Sequence, residues 1–191
     1  MPAKKKFKHG FKAQANRLAS EYREELRVPL DAPLCPWKVA RHLSIPVLKL
    51  SDLPDCDEKF YLMQGKGLKE FSATVCYRGT KAFILNNDAQ PIKRQASDIA
   101  HEIAHVALGH PPTRPFDEEG NREFLREIED EAEWLGPAIL VSEKAAMRAY
   151  RLISTKTYTL ESLSDEWQIT SEVISMRMNV VGVQKRYRRA A

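Results

Sequence analysis

Residues 91 to 112 constrain this chain more than any other stretch: Pro-Ile-Lys-Arg-Gln-Ala-Ser-Asp-Ile-Ala-His-Glu-Ile-Ala-His-Val-Ala-Leu-Gly-His-Pro-Pro. Pro91 suits a first helical position, and Pro111-Pro112 forbid a helix from continuing past Gly109-His110. Between them Ile92, Ala96, Ile99, Ile103 and Ala107 recur at helical spacing, which predicts one helix over 91–108. His101 and His105 are then one turn apart, about 40° round the helix, on a face roughly 160° from the apolar stripe. One side can pack on a core while the other lines a cleft.

Two imidazoles placed in this way can reach one metal ion. Glu102, between them in sequence, projects beside that ion, where it can take a proton from a water molecule. This is the zinc metalloprotease arrangement. The bland alternative is a surface helix with two solvated histidines. The glutamate, the spacing and the helical context together favour the metal.

A catalytic zinc needs a third protein ligand. The next helical stretch, 121–140, carries many acids, and periodicity separates them. Phe124, Ile128, Leu135 and Ile139 form an apolar stripe on which Glu131 falls. A carboxylate on a buried face is costly unless paired or bound to metal, so Glu131 is the expected ligand, with Glu127 as runner-up. Glu123, Glu129, Asp130 and Glu133 fit a solvated face. His110 would point away from His101 on a continued helix, which makes it a helix-end cation rather than a ligand. Asp98, one turn before His101, can orient a ligand imidazole or simply be solvated.

Ile84-Leu85-Asn86-Asn87, Pro91, Arg94-Gln95, His101-Glu102-Ile103-Ala104-His105 and Gly109-His110 together resemble the ImmA/IrrE family of metallo-endopeptidases. Glu131-Ala132, Leu135-Gly136 and Ile139-Leu140-Val141 resemble that family's second motif. The resemblance covers roughly Phe11 to Gly182. It implies a gluzincin-like zinc peptidase with His101, His105 and Glu131 as ligands and Glu102 as general base. It also implies a protein substrate, a helix-turn-helix repressor encoded nearby, whose cleavage relieves repression.

The chain has 191 residues, 43% of them hydrophobic, enough for a real core. A formal charge of +4 and the lack of an 18-residue apolar run argue for a protein without a membrane span. Cys35, Cys56 and Cys76 include no Cys-x-x-Cys pair, so a thiolate zinc site is not expected. Their odd number points to free thiols in a reducing cytoplasm.

The expected fold class is α+β: a zincin-like sheet of about three strands, antiparallel or mixed, beside the active-site helix, with a mainly helical C-terminal part. Helices are expected over 11–26, 37–43, 142–153 and in a C-terminal pair. Strands are expected at 45–50, 71–77 and 81–85, the last two joined as a hairpin at Arg78-Gly79-Thr80. Residues 51–67 read as loop. The domain reading is a basic disordered tail at 1–10, a metallopeptidase domain at 11–153, a helical hairpin at 154–184 and a basic tail at 185–191. That hairpin has a helix-turn-helix shape. With Arg177 and the tail it could touch DNA, but packing on the core is favoured. Three functions therefore stand: a protease that cuts a repressor, a non-cleaving binding partner of a repressor or antitoxin-like protein, and a DNA-binding regulator. The intact Glu102 favours the first, since a structural zinc site has no need of it.

Overall fold

The computed structural model describes residues 7–111 and 123–190, and the side chains of 126–187 within the second span. The first six residues of the expected N-terminal tail, Asn121 at the start of the expected ligand helix and the side chain of Phe124 lie outside the described residues.

Among the described residues the order is α1 (Phe11–Glu25), α2 (Pro36–His42), β1 (Val47–Lys49), a 3-10 turn (Leu50–Asp52), α3 (Asp57–Leu62), α4 (Gly67–Glu70), β2 (Ala73–Arg78), β3 (Lys81–Asn86), α5 (Ile92–Ala107), α6 (Glu123–Leu140), α7 (Glu143–Ser154), α8 (Leu160–Trp167), α9 (Ser171–Val181) and α10 (Val183–Ala190). The fold is α+β with one mixed three-stranded sheet, in the order β1-β3-β2. β3 is central, parallel to β1 and antiparallel to β2. Arg78 pairs with Lys81, so Gly79 and Thr80 make the hairpin turn, with Gly79 at φ 64°.

Three segments depart from the sequence reading. Phe7, in the expected disordered tail, stacks on Phe11 at 5.2 Å and meets Trp134 edge-on. The stretch expected to be loop at 51–67 holds α3 and the start of α4. Lys59 organises it: its buried ammonium donates to the carbonyls of Ser51 and Leu53 and to Asp55. Helices this short show no periodicity, and a tertiary clamp of this kind is invisible in a local window. The expected basic tail at 185–191 is helical as far as Ala190, in α10. Val183 is buried, Tyr187 meets the ring of Tyr150 edge-on at 5.4 Å, and Arg186 approaches Glu143 at 3.5 Å.

Elsewhere the local signals hold. Ser142 caps α7 by accepting from the N–H of Ala145. Thr159 and Ser162 form a reciprocal capping box on α8. Gly182 ends α9 in the left-handed region, at φ 66°. One apolar cluster joins α1, α2, β3, α5 and α6 through Phe11, Ala15, Val39, Ile84, Ile99, Ile103, Leu135 and Ile139. A second joins Ala100 of α5 and the end of α6 to α7, α8 and α9 through Leu140, Ala146, Leu163 and Ile174.

The C-terminal hairpin is tied to the rest by Arg177. Its guanidinium is 1% exposed, donates to the carbonyl of Val141 at the end of α6 and to Asn16 of α1, and lies over the ring of Trp134. Arg23 makes the matching bond to the carbonyl of Leu140. Burial and their mutual repulsion lower the pKa of Arg23 to about 10, and burial lowers that of Arg177 to about 10 as well. Both cations sit against the carbonyl end of α6, where the helix dipole favours positive charge. No helix among the described residues is long and apolar enough to cross a membrane.

Candidate active site

α5 and α6 are in close backbone contact at Gly136. A Cβ there would lie 3.0 Å from the backbone N and Cα of His101, so only glycine fits without displacing one helix. That contact sets which face of α6 looks at the histidines. Glu129 is two turns before Gly136 and, at 100° per residue, lies on almost the same line. It reaches them: its carboxylate is 3.2 Å from His101 Nε2 and 3.6 Å from His105 Nε2. The two Nε2 atoms are 3.0 Å apart.

Glu131, expected to be the third ligand, is not brought to this point. It lies about 160° round α6 from Glu129, and its carboxylate meets His110 Nε2 at 3.2 Å. Glu127, the runner-up, is exposed. The apolar stripe points to Glu131, which is more buried than Glu129. A metal site instead takes an acid on the flank of the stripe, beside the cleft. The usable signal was Gly136, a small residue seven positions after Glu129, which marks the helix crossing.

His110 also departs from expectation. Gly109 takes φ 66°, so the chain leaves α5 in a Schellman turn. Gly109 N–H donates to Val106 and His110 N–H to the carbonyl of His105. This folds His110 back onto His105, with Nδ1 to Nδ1 at 3.0 Å. It is 8% exposed, and burial lowers its pKa, partly offset by Glu131. It is therefore packed between His105 and Glu131 rather than free at the helix end.

Glu102 is half-buried beside β2. One carboxylate oxygen accepts the backbone N–H of Val75 at 2.7 Å. Burial pushes its pKa up, against the pull of His101, His105 and that hydrogen bond. Glu129 is held well below the usual carboxylate range by its bonds to His101 and His105. At His101 burial favours the neutral ring, but Glu129 and the nearby Glu102 and Glu133 outweigh it and raise the pKa. Asp98 pairs with Arg94 at 3.0 Å, so the one hydrogen bond found for it is not to an imidazole.

His101, His105 and Glu129 each offer one ligand atom, and these atoms all lie within 4.8 Å of one another. Two imidazole nitrogens and a carboxylate form a donor set suited to zinc, and nitrogens sharing one zinc lie roughly 3.3 Å apart, close to the separation here. The sequence model of the IrrE N-terminal-like domain, peptidase M78, matches residues 52–179. The chain belongs to the peptidase M78 family. No curated protein matches it by sequence. The matched span runs from the end of the 3-10 turn into α9, so it takes in β2 and β3, both site helices and most of the C-terminal hairpin. Membership of the M78 family supports a metallopeptidase-type function.

In this M78 family member β2 is the edge strand at the site. Asn87 N–H donates to Ser72 across the hairpin, so even-numbered β2 residues turn their backbone groups toward β3. Ala73, Val75 and Tyr77 turn theirs outward, toward Glu102. Burial and the charge of Glu102 push the Tyr77 hydroxyl up from its ordinary pKa.

Proposed function

We propose that this chain is a zinc-dependent endopeptidase that hydrolyses a peptide bond in a regulatory protein. In this reading His101, His105 and Glu129 hold the metal and Glu102 is the general base. The convergence of the two imidazoles and Glu129, with Glu102 beside them on the outward edge of β2, carries the reading.

A zinc ion held there supplies Lewis acidity, which lowers the pKa of water toward neutrality and polarises a carbonyl. The chain's own residues do the rest. Glu102 takes a proton from the attacking water on its carboxylate and gives it to the leaving amine. Its position suits this, since the Val75 N–H fixes one carboxylate oxygen beside the two imidazoles. The outward N–H and C=O groups of β2 can receive an extended peptide as an added strand and align its carbonyl with Glu102.

The helix-turn-helix repressor is the substrate we propose, on the resemblance to the ImmA/IrrE family. A cytoplasmic setting accords with three free cysteines. DNA binding through the C-terminal hairpin is disfavoured by Arg177, the one cation of α9, which is spent on the Val141 carbonyl. The decisive experiment measures zinc content and repressor cleavage for the wild type, Glu129→Ala and Glu102→Gln. We expect about one zinc per chain, lost in Glu129→Ala and kept in Glu102→Gln, with cleavage lost in both. Zinc bound normally by Glu129→Ala would refute the ligand set. Cleavage retained by Glu102→Gln would refute the base.

A further inference from the structure

His110 has partners at both ring nitrogens while almost wholly buried: His105 at Nδ1 and Glu131 at Nε2, at 3.0 and 3.2 Å. The chemistry of the groups then fixes the protons. An ionised Glu131 only accepts, so His110 Nε2 carries the hydrogen of that bond. In a neutral His110 the other nitrogen, Nδ1, is then an acceptor. His105 must donate to it from its own Nδ1, which leaves the lone pair of His105 on Nε2. That is the atom turned to His101 Nε2 and to Glu129.

We propose that His110 and Glu131 are a positioning pair that selects the tautomer of His105 and aims its Nε2 at the metal. The proposal rests on the reading of His105 as a ligand. The backbone supports it independently of the side chains. The Schellman turn at Gly109 ties His110 N–H to the carbonyl of His105, so the two residues are locked together twice. The pair also accounts for the two groups that sequence reasoning placed wrongly. Glu131 lies where a carboxylate is costly, and His110 where an unpaired ring N–H is costly; the hydrogen bond between them satisfies both. Ligand histidines commonly have such a partner on the second nitrogen, and its loss weakens metal binding about 10–100-fold.

The test uses the full chain and zinc alone, with affinity measured by competition against a chromophoric chelator. Long-range proton–nitrogen spectra of the zinc-loaded protein report the Nδ1–H of His105 directly. In His110→Leu we expect zinc affinity to fall about 10–100-fold and that protected Nδ1–H signal to disappear. His110→Asn, which keeps an acceptor near the position of Nδ1, should restore much of both. Glu131→Gln keeps the shape and removes the charge; it should weaken zinc severalfold and carries the test if His110→Leu does not fold. Wild-type affinity and an unchanged Nδ1–H signal in both His110→Leu and Glu131→Gln would overturn the proposal. So would loss of zinc in Glu131→Gln beside normal binding in Glu129→Ala, since Glu131 would then be a ligand. Absence of zinc binding in the wild type would overturn the underlying metal reading, and it is seen before any variant is compared.

Discussion

The backbone N–H of Val75 is held by Glu102 at 2.7 Å, so the proposed base and the edge strand share one hydrogen bond. The N–H of Ala73, the first residue of β2, faces away from β3 in the same register, and a proline there removes it without breaking the β2–β3 ladder or the Val75–Glu102 bond. Ala73→Pro should therefore fold and bind zinc normally while losing one outward donor of the edge. Steady-state kinetics on a cleavable peptide should show KM rising by about tenfold, roughly 1.4 kcal/mol of lost binding. An unchanged KM would mean that the substrate does not add to β2.

Glu102→Gln tests the chemistry apart from binding. The amide fills the same space and can still accept the Val75 N–H, but it cannot take up a proton. kcat should fall by about 10²–10⁴, the usual worth of a positioned base. Substrate binding to the inactive variant, followed by calorimetry, should remain near the wild-type value.

Gly136→Ala sets two effects against each other. Alanine gains about 1 kcal/mol of helix propensity. The new Cβ, however, meets the backbone of His101 at 3.0 Å, and a helix backbone yields less readily than a side chain. We expect the clash to win. Denaturant midpoints should drop, and zinc affinity should fall as Glu129 moves off the histidine pair. A stabilised variant with full zinc affinity would show that α5 and α6 slide apart at no cost.

Arg177→Met should cost about 2–3 kcal/mol, because it leaves the buried Val141 carbonyl and the Asn16 side chain without their charged donor. Lys185→Met, an exposed cation nearby, should change stability by less than about 0.5 kcal/mol. Equal effects, read as shifts in urea midpoint, would argue against Arg177 as the tie between hairpin and core.

Asp88 gives a pH-dependent term. Burial raises its pKa, but the hydroxyl and backbone N–H of Ser51 outweigh that, and the carboxyl is held below its ordinary value. A folded pKa below the unfolded one means a contribution fully present above the unfolded value of about 3.9, and lost as pH falls through the folded pKa. Asp88→Asn should melt below the wild type at pH 7, and the gap should close on acidification. A gap that widens in acid would reverse the sign of the shift.

The helix carrying His101, Glu102 and His105 was legible because its signals are local. Pro91 and Pro111 bound it, and the 3.6-residue repeat of Ile99 and Ile103 gives its buried face. The strands at 73–78 and 81–86 were legible for a similar reason: β-rich runs flank Gly79. By itself the sequence also determined that His101 and His105 come together, since two histidines four apart on one helix share a face wherever that helix packs.

The tertiary structure alone decided which acid joins them. All the acids of α6 are compatible with its helix, and only the crossing at Gly136, an interaction between residues far apart in sequence, turns Glu129 toward His101 and leaves Glu131 to His110. It also decided that Arg177 is a buried tie rather than a free cation, because a guanidinium finds its carbonyl partners at 16 and 141 only once α1, α6 and α9 have come together. Periodicity specifies a face of a helix. What that face meets depends on packing between segments distant along the chain.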